Sequence, residues 1–281
     1  MMQIDLNSMS NREPAFRERP VIFHGVNKSG SLSFAKALQK SYAATGRSEE
    51  YMCRYLGIPS TRDGAMERMS KNPKRRQILI DHGLVGFEES VPSAGFATLL
   101  RHPARRVLSC FFWLQSHHPD LVLGRDFSSW IRAEGMAYSQ IRQFAYNHLS
   151  AKERGEITQM KIGDIGARAA AFFEDRVDWF GITELFEESL LTFHWELGLD
   201  HIAPWETDMR NTAQPRYDSR AETRGRFDFR KTTISNALYN EIESVMGPDI
   251  VFYEMMRQKF LKYLRGFSID GLLSQYMKEM A

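Results

Sequence analysis

Residues 21–33, with the sequence VIFHGVNKSGSLS, decide the fold class of this 281-residue chain. An apolar run ends at His24, and the short loop that follows holds Lys28, Gly30 and three serines before an amphipathic run begins. We predict a strand, a phosphate-binding loop and a helix in that order. Backbone N–H groups at the start of a helix attract an anion, and a lysine beside them adds a full positive charge.

This loop is not a Walker A motif, which requires the pattern G-x-x-x-x-G-K-[ST]. Here Lys28 comes before Gly30, and the stretch from Asn27 to Ser33 holds a single glycine. The loop therefore indicates a phosphate or sulfate ligand rather than ATP handling of the usual kind. A Gly/Ser turn between a strand and a helix is also common structural punctuation, so the loop alone leaves both readings open.

A second anion site is indicated by residues 96–109, where an apolar run leads into RHPARRVLS. Pro103 suits the first turn of a helix, because its missing N–H is not needed there. Arg101 stands at the end of the predicted strand, while Arg105 and Ser109, four residues apart, share a helical face. Arginine presents a planar fork of donors that matches phosphate oxygens. The alternative is a solvated basic helix start.

Both segments resemble motifs of the PAPS-dependent sulfotransferase superfamily, in its carbohydrate and bacterial branch. Residues 27–33, NKSGSLS, are similar to the family loop P-K-T-G-[GS]-T-S, which grips the 5′-phosphosulfate of 3′-phosphoadenosine 5′-phosphosulfate (PAPS). Residues 101–109 are similar to the motif R-[DH]-P-x-x-R-x-x-S, which grips the 3′-phosphate. Asn27 stands where the family usually has proline, and Leu32 stands where a threonine hydroxyl is usual.

Two later segments extend the resemblance. Residues 179–190, WFGITELFEESL, are similar to the family segment near the adenine, and residues 249–253 resemble its C-terminal helix. The resemblance implies PAPS as co-substrate, no metal, and Lys28 as the catalytic cation. It implies that the donor is bound by Asn27, Lys28, Ser29, Gly30, Ser31, Leu32, Ser33, Arg101, Ser109, Thr183 and Phe186.

Sulfuryl transfer to an alcohol also needs a general base, and histidine suits neutral pH. We predict His82, which follows the strand candidate 77–81, as this base; sugar-modifying relatives often carry a histidine at the corresponding strand end. Asp81 stands before it where glycine is usual, and would either orient the imidazole or cap the turn. His117 and His118 remain alternatives, as does Asp81 itself.

Alternation of apolar runs and amphipathic segments predicts an α/β fold: a single domain with a central parallel β-sheet flanked by helices, P-loop-like as in sulfotransferases. We expect a flexible polar segment over 1–19, the sulfotransferase domain over 20–265, a long loop over 200–231 and a helical tail over 266–281. The predicted strands are 21–24, 77–81, 97–100 and 179–182; the predicted helices are 33–45, 104–113, 128–134, 138–149, 163–173, 187–196, 235–246 and 250–260.

Composition excludes several classes of protein. A formal net charge of +2 gives no sign of nucleic-acid binding. Cys53 and Cys110 are the two cysteines, too few for a disulfide framework, so a reducing compartment is expected. The chain has neither an apolar signal segment at its start nor a run of about 18 apolar residues. We therefore expect a cytoplasmic bacterial enzyme without a membrane span.

These features predict a sulfotransferase that moves a sulfuryl group from PAPS to a hydroxyl of an acceptor, either a carbohydrate or another small alcohol. Two other classes stay open: a kinase-like phosphotransferase and a non-catalytic binder of adenosine 3′,5′-bisphosphate. The absence of a Walker A motif weighs against the first, and the intact Lys28 weighs against the second. Neither the identity of the acceptor nor the oligomeric state can be read from the sequence.

Overall fold

The computed structural model describes residues 6, 9–26, 28–53, 62–71, 77–82, 91–122, 124–135, 139–199, 202 and 235–279. Two sequence predictions fall outside these ranges. One is the proposed donor contact of Asn27, and the other is the long loop over 200–231, of which Ile202 alone is described.

The core of the fold is a five-stranded sheet in which every pairing is parallel, with the strand order β2-β3-β1-β4-β5. β1 lies at its centre, and Val21 is in register with Ile78 of β3 and with Gly95 of β4. The strands are β1 (Val21–His24), β2 (Tyr51–Cys53), β3 (Ile78–Asp81), β4 (Gly95–Leu100) and β5 (Trp179–Ile182).

The described helices extend most of the predicted segments by a few residues. They are α1 (Ser31–Ala44), α2 (Arg62–Lys71), α3 (Pro103–His117), α4 (Pro119–Val122), α5 (Phe127–Glu134), α6 (Gln140–His148), α7 (Ala151–Gln159), α8 (Ile162–Arg176), α9 (Phe186–Glu196), α10 (Asn236–Leu264) and α11 (Ile269–Glu279). The predicted α/β class with a central parallel sheet is confirmed.

All four residues of β1 are buried, as a central parallel strand covered on both faces requires. Alternate side chains face opposite layers: Ile22 packs in a cluster with Met69 of α2, while Phe23 stacks on Phe34 of α1 with ring centroids 5.3 Å apart. Phe34 also lies 5.5 Å from Phe193 of α9. The continuous apolar run in the sequence therefore reflects a strand buried on both faces.

The chain divides into two compact units. The first consists of Met1–Leu100, Phe172–Trp205 and Met256–Ala281 and contains the whole sheet. The second consists of Arg101–Ala171 and Glu206–Met255. Within the second unit, Phe111 of α3 lies against Trp130 of α5, with ring centroids 5.3 Å apart.

The predicted helices over 235–246 and 250–260 correspond to the two helical stretches of α10, which meet at a kink. Met246 departs from helical geometry, with φ −103° and ψ 15°, and Pro248 follows two residues later. Proline has no N–H for the helical ladder, and its ring clashes with the carbonyl four residues earlier. The proline thus bends the helix at the place where the sequence predicts a break.

Polarity alone predicts that the N-terminal segment is flexible, but Arg12 is anchored in the first unit. Its guanidinium forms an ion pair with the carboxylate of Glu196, whose side chain is 2% exposed. The same group lies 4.8–5.0 Å from the ring centroids of Trp195, Tyr263 and Phe267. A cation over three aromatic faces and beside a carboxylate ties this segment to α9, α10 and the turn after α10.

Among the described helices, none is long and apolar enough to cross a membrane.

His194 links α9 to the loop-bearing helix α1 inside the first unit. Its Nδ1 donates to the carbonyl of Leu190 at 2.7 Å, so its Nε2 accepts the hydroxyl of Ser41 at 2.8 Å. Both side chains are fully buried. Burial lowers the pKa of His194 to about 4, because the interior disfavours the imidazolium.

This histidine predicts loss of stability in acid. Since the folded pKa lies below the ordinary value of 6.5, the unfolded state binds more protons, and the contribution present above pH 6.5 disappears as the pH falls towards 4. We expect the free energy of unfolding, measured with urea, to fall between pH 7 and pH 4.5 by roughly 2 kcal/mol more in the wild type than in His194→Gln.

The matched control is His118→Gln, which changes an exposed histidine and should follow the wild-type pH dependence. Equal pH dependence in His194→Gln and the wild type would contradict a neutral buried imidazole.

Candidate functional site

The candidate site of the first unit lies where β1 and β3 end, side by side. Parallel strands bring their carboxyl ends to one edge of a sheet, where ligands bind in α/β proteins. The pairing continues one residue past the strands, because the N–H of Gly25 donates to the carbonyl of Asp81 at 2.8 Å. The loop that bears Lys28 leaves β1 at this edge, and His82 leaves β3 beside it.

Two left-handed residues shape the loop. Lys28 has φ 64° and Gly30 has φ 87°, and a side chain at such angles costs about 1 kcal/mol or more. A Cβ added to Gly30 would lie 3.4 Å from Cγ2 of Thr183, an ordinary van der Waals contact, so the positive φ rather than crowding favours glycine here. Lys28 is half-buried and adopts this strained conformation. It is also the residue that we propose to bind the anion.

Two of the loop serines serve the loop itself. The hydroxyl of Ser29 donates to the carbonyl of Val26 at 2.7 Å and lies 2.8 Å from the hydroxyl of Ser31. Both serines are buried. Their side chains therefore hold the turn closed, as does the N–H of Ser29, which donates to the carbonyl of Val26 at 3.2 Å. The sequence prediction that Ser29 and Ser31 bind the donor remains a proposal.

The start of α1 is the element predicted to bind an anion. Its N-cap residue, Gly30, supplies no side-chain hydrogen bond, and the first intrahelical bond runs from the N–H of Phe34 to the carbonyl of Gly30 at 3.0 Å. The N–H groups of Ser31, Leu32 and Ser33 belong to the first turn, where helical partners are missing. Leu32 is 37% exposed, and its side chain offers no hydrogen-bond donor.

Thr183 fastens the loop to the neighbouring strand. Its hydroxyl lies 2.5 Å from the carbonyl of Ser29 and 2.9 Å from that of Leu100, and it donates to both. Phe186, at the start of α9, is buried, and its ring meets that of Phe34 edge to face with the ring centroids 5.7 Å apart. Thr183 and Phe186, which we predict beside the adenine, thus contact the loop and its helix in this structure.

The imidazole of His82 is fixed in one tautomer. Its Nδ1 makes a short hydrogen bond with the carbonyl of Gly25, and since a carbonyl only accepts, Nδ1 carries the proton. Nε2 is then the unprotonated nitrogen, the form that a general base requires.

The electrostatics of the edge keep His82 neutral. Its pKa lies below the ordinary value of 6.5, chiefly because surrounding protein atoms desolvate the ring. The hydrogen bond to Gly25 and the charge of Asp81 act in the opposite direction, while the ammonium of Lys28 lowers the pKa further. Lys28 and His82 are therefore close enough to interact electrostatically.

Asp81 holds the turn that carries His82. Its Oδ1 accepts the backbone N–H of His82 at 2.7 Å, and its side chain is buried. Of the two roles left open by the sequence, this hydrogen bond corresponds to capping.

In the second unit, Arg101 precedes α3, whose first residue is Pro103 as predicted. His102 caps this helix, with its Nδ1 accepting the N–H of Ala104 at 3.3 Å. Ser109 lies on α3 and is 9% exposed, whereas Arg101 is half-buried. The structure places both residues of the second motif at this helix, in a unit other than that of the loop.

The sequence does not predict the buried hydrogen-bond network that holds the main chain of Arg101. Both backbone groups of Arg101 bond to the side chain of Gln140: its N–H donates to Oε1 at 2.9 Å, and its carbonyl accepts from Nε2 at 2.8 Å. Asp249 in turn accepts the N–H groups of Gln140 and Ile141 at 3.1 and 2.9 Å. Burial raises the pKa of Asp249, against the opposing charge of Arg106.

The two alternative histidine bases lie in the second unit. His117 has its Nδ1 2.8 Å from the carbonyl of Trp113, and its ring stacks on that indole at 5.2 Å. His118 ends α3 and is exposed. Within the ranges that the structure describes, no group of three or more His, Cys, Asp or Glu side chains is placed to hold a metal ion.

Comparison with known proteins finds structural likeness without sequence matches. No protein-family model matches the chain, and no curated protein sequence matches it. Among solved structures, the chain is similar to a sulfotransferase from Alicyclobacillus acidocaldarius, with 15% sequence identity. The alignment covers 88% of this chain and 99% of that one, with a TM-score of 0.45.

The hydroxyl of Thr183 should stabilise the loop measurably. Thr183→Val keeps the shape of the side chain but leaves the carbonyls of Ser29 and Leu100 without this donor, which costs about 1 kcal/mol or more in the free energy of unfolding. Hydrogen exchange of the loop amides should also accelerate.

Thr183→Ser is the matched variant, because it keeps the hydroxyl and loses only a methyl group. Its loop amides should exchange as in the wild type. Equal acceleration in both variants would show that the hydroxyl does not fasten the loop.

Proposed function

We propose that this protein is a sulfotransferase that moves a sulfuryl group from PAPS to a hydroxyl group of a carbohydrate or another small alcohol. The observation that carries the proposal is the pairing of a neutral His82, whose proton is on Nδ1 and not on Nε2, with Lys28 in the loop before α1. A base beside a cation at the start of a helix suits in-line transfer between two oxygen atoms.

The loop would hold the 5′-phosphosulfate of the donor. The first N–H groups of α1 and the macrodipole of the helix favour the negative oxygens. As the bond between sulfur and the bridging oxygen breaks, negative charge grows on that oxygen. The ammonium of Lys28 would neutralise it, and stabilisation of developing charge is commonly the largest contribution to such catalysis.

His82 would take the proton of the acceptor. Nε2 removes the hydroxyl proton as the acceptor oxygen attacks sulfur from the side opposite the bridging oxygen. The products are a sulfate ester, adenosine 3′,5′-bisphosphate and an imidazolium, which later releases its proton to water. The hydrogen bond from Nδ1 to Gly25 supports this step, because a carbonyl acceptor stabilises the charged ring.

Arg101 and Ser109 would bind the 3′-phosphate and thereby select PAPS over ordinary adenine nucleotides. This part of the proposal rests on the spacing of RHPARRVLS and on the chemistry of the guanidinium, which matches two phosphate oxygens at once. Thr183 and Phe186 would lie on the adenine side of the bound nucleotide, as the resemblance implies.

A transfer assay with ³⁵S-labelled PAPS and a panel of sugars, small alcohols and phenols tests the activity and the base together. Wild-type protein should label at least one hydroxylated acceptor. His82→Asn keeps hydrogen-bonding capacity but accepts no proton, so its turnover should fall about a hundredfold or more. The wild-type rate should decline below pH 6.5, because the lowered pKa of His82 keeps the ring neutral above it.

His117→Asn is the matched control, a histidine held by a backbone carbonyl in the second unit. A large loss in this variant with normal turnover in His82→Asn would move the base to His117. Failure to detect labelled product with every acceptor class would contradict the proposed activity.

Nucleotide selectivity tests the second motif. A charge-assisted bond is worth about 1.5–3 kcal/mol and each 1.4 kcal/mol is a factor of ten, so adenosine 3′,5′-bisphosphate should bind at least tenfold more tightly than adenosine 5′-monophosphate. Calorimetry should show that Arg101→Ala removes most of this difference by weakening the bisphosphate alone.

Arg125→Ala provides the control, since Arg125 is an exposed arginine of the same unit, 3.7 Å from Glu134. It should bind both nucleotides as the wild type does. Equal affinities for the two nucleotides in the wild type would contradict a dedicated 3′-phosphate site.

A further inference from the structure

The side chain of Gln140 grips the main chain of a single residue, Arg101. One amide group satisfies both the N–H and the carbonyl of that residue, at 2.9 and 2.8 Å. Two hydrogen bonds from one rigid amide plane restrict φ and ψ of the residue that they bracket. Gln140 is 1% exposed, so water does not compete readily for these bonds.

Arg101 needs such a restraint because of its place in the chain. It connects the last residue of β4 to His102, the N-cap of α3. The residue before a proline is confined to extended angles, and His102 accordingly has φ −52° and ψ 125°. That restriction acts on His102 and not on Arg101. Among the described contacts of the Arg101 main chain, the pair of bonds to Gln140 supplies the restraint.

The backbone of Gln140 is itself held in place. It is the first residue of α6, and its backbone N–H donates to the buried carboxylate of Asp249. The neighbouring N–H of Ile141 donates to the other oxygen of the same carboxylate. Asp249 follows Pro248, just past the kink in α10. A fully buried acidic group thus fixes the start of α6, from which the Gln140 amide reaches Arg101.

We propose that Gln140 is a positioning residue for donor selectivity: by bracketing the main chain of Arg101 it aims that guanidinium at the 3′-phosphate of the nucleotide. This inference rests on the proposed function of Arg101. Gln140 touches no part of the nucleotide in this role and acts through Arg101. Its removal therefore weakens recognition of the 3′-phosphate and leaves the rest of the nucleotide untouched.

The test is calorimetric titration of the full chain with adenosine 3′,5′-bisphosphate and with adenosine 5′-monophosphate. Gln140→Met keeps the length of the side chain and removes both hydrogen bonds. It should weaken the bisphosphate at least fivefold and change the monophosphate less than twofold. Gln159→Met, the same change at an exposed glutamine of the same unit, should alter neither affinity.

A double-mutant cycle separates positioning from general loosening. In an Arg101→Ala background, adding Gln140→Met should change bisphosphate affinity less than twofold, because the group that Gln140 positions is already gone. A further fivefold loss in that background, or equal weakening of both nucleotides in the single variant, would overturn the inference.

Gln140→Glu covers the case in which the methionine variant does not fold. Its carboxylate still accepts the N–H of Arg101 but no longer donates to the carbonyl, so a two- to fivefold loss for the bisphosphate is expected, and unchanged affinity would overturn the inference. Failure of the proposed function looks different. A wild type that binds both nucleotides equally removes the role of Arg101, whereas a selective wild type with an equally selective Gln140→Met removes only that of Gln140.

Discussion

Parallel pairing of β1 between β3 and β4 is the constraint on which the candidate site depends. It brings the ends of β1 and β3 to one edge, and the bond from Gly25 N–H to the Asp81 carbonyl carries the pairing past the strands. The carbonyl of Gly25 then stands where the imidazole of His82 meets it. The tautomer of the proposed base is therefore a consequence of strand register, because a slip by one residue would bring a different carbonyl to the ring.

The loop divides its work between side chains and backbone. Ser29 and Ser31 turn their hydroxyls inward to the carbonyl of Val26, and Thr183 holds the loop from the neighbouring segment. These bonds offset the strain of the left-handed Lys28. The N–H groups of the first helical turn are the proposed contacts of the anion. A side-chain hydroxyl at position 32 is not needed for the cradle to form.

Local sequence patterns predicted the parts of the site that are local in the chain. The apolar run of β1, the proline that opens α3 and the position of His82 after a strand follow from neighbouring residues alone. Long-range contacts carry no such signal. Gln140 meets Arg101 across 39 residues and Asp249 across 109, and a glutamine at the start of a helix is ordinary in composition. The three-residue strand β2 is likewise too short to show a period.

The central claim is that this sheet edge holds a neutral histidine, with Nε2 as proton acceptor, beside a cation. ¹⁵N NMR of the His82 ring at neutral pH measures this directly. We expect a protonated Nδ1, an unprotonated Nε2 and a titration midpoint below 6.5. The midpoint should rise in Lys28→Ala, because that variant lacks the ammonium that lowers the pKa of His82. A protonated Nε2 at neutral pH, or a midpoint that does not respond to Lys28, would contradict the account.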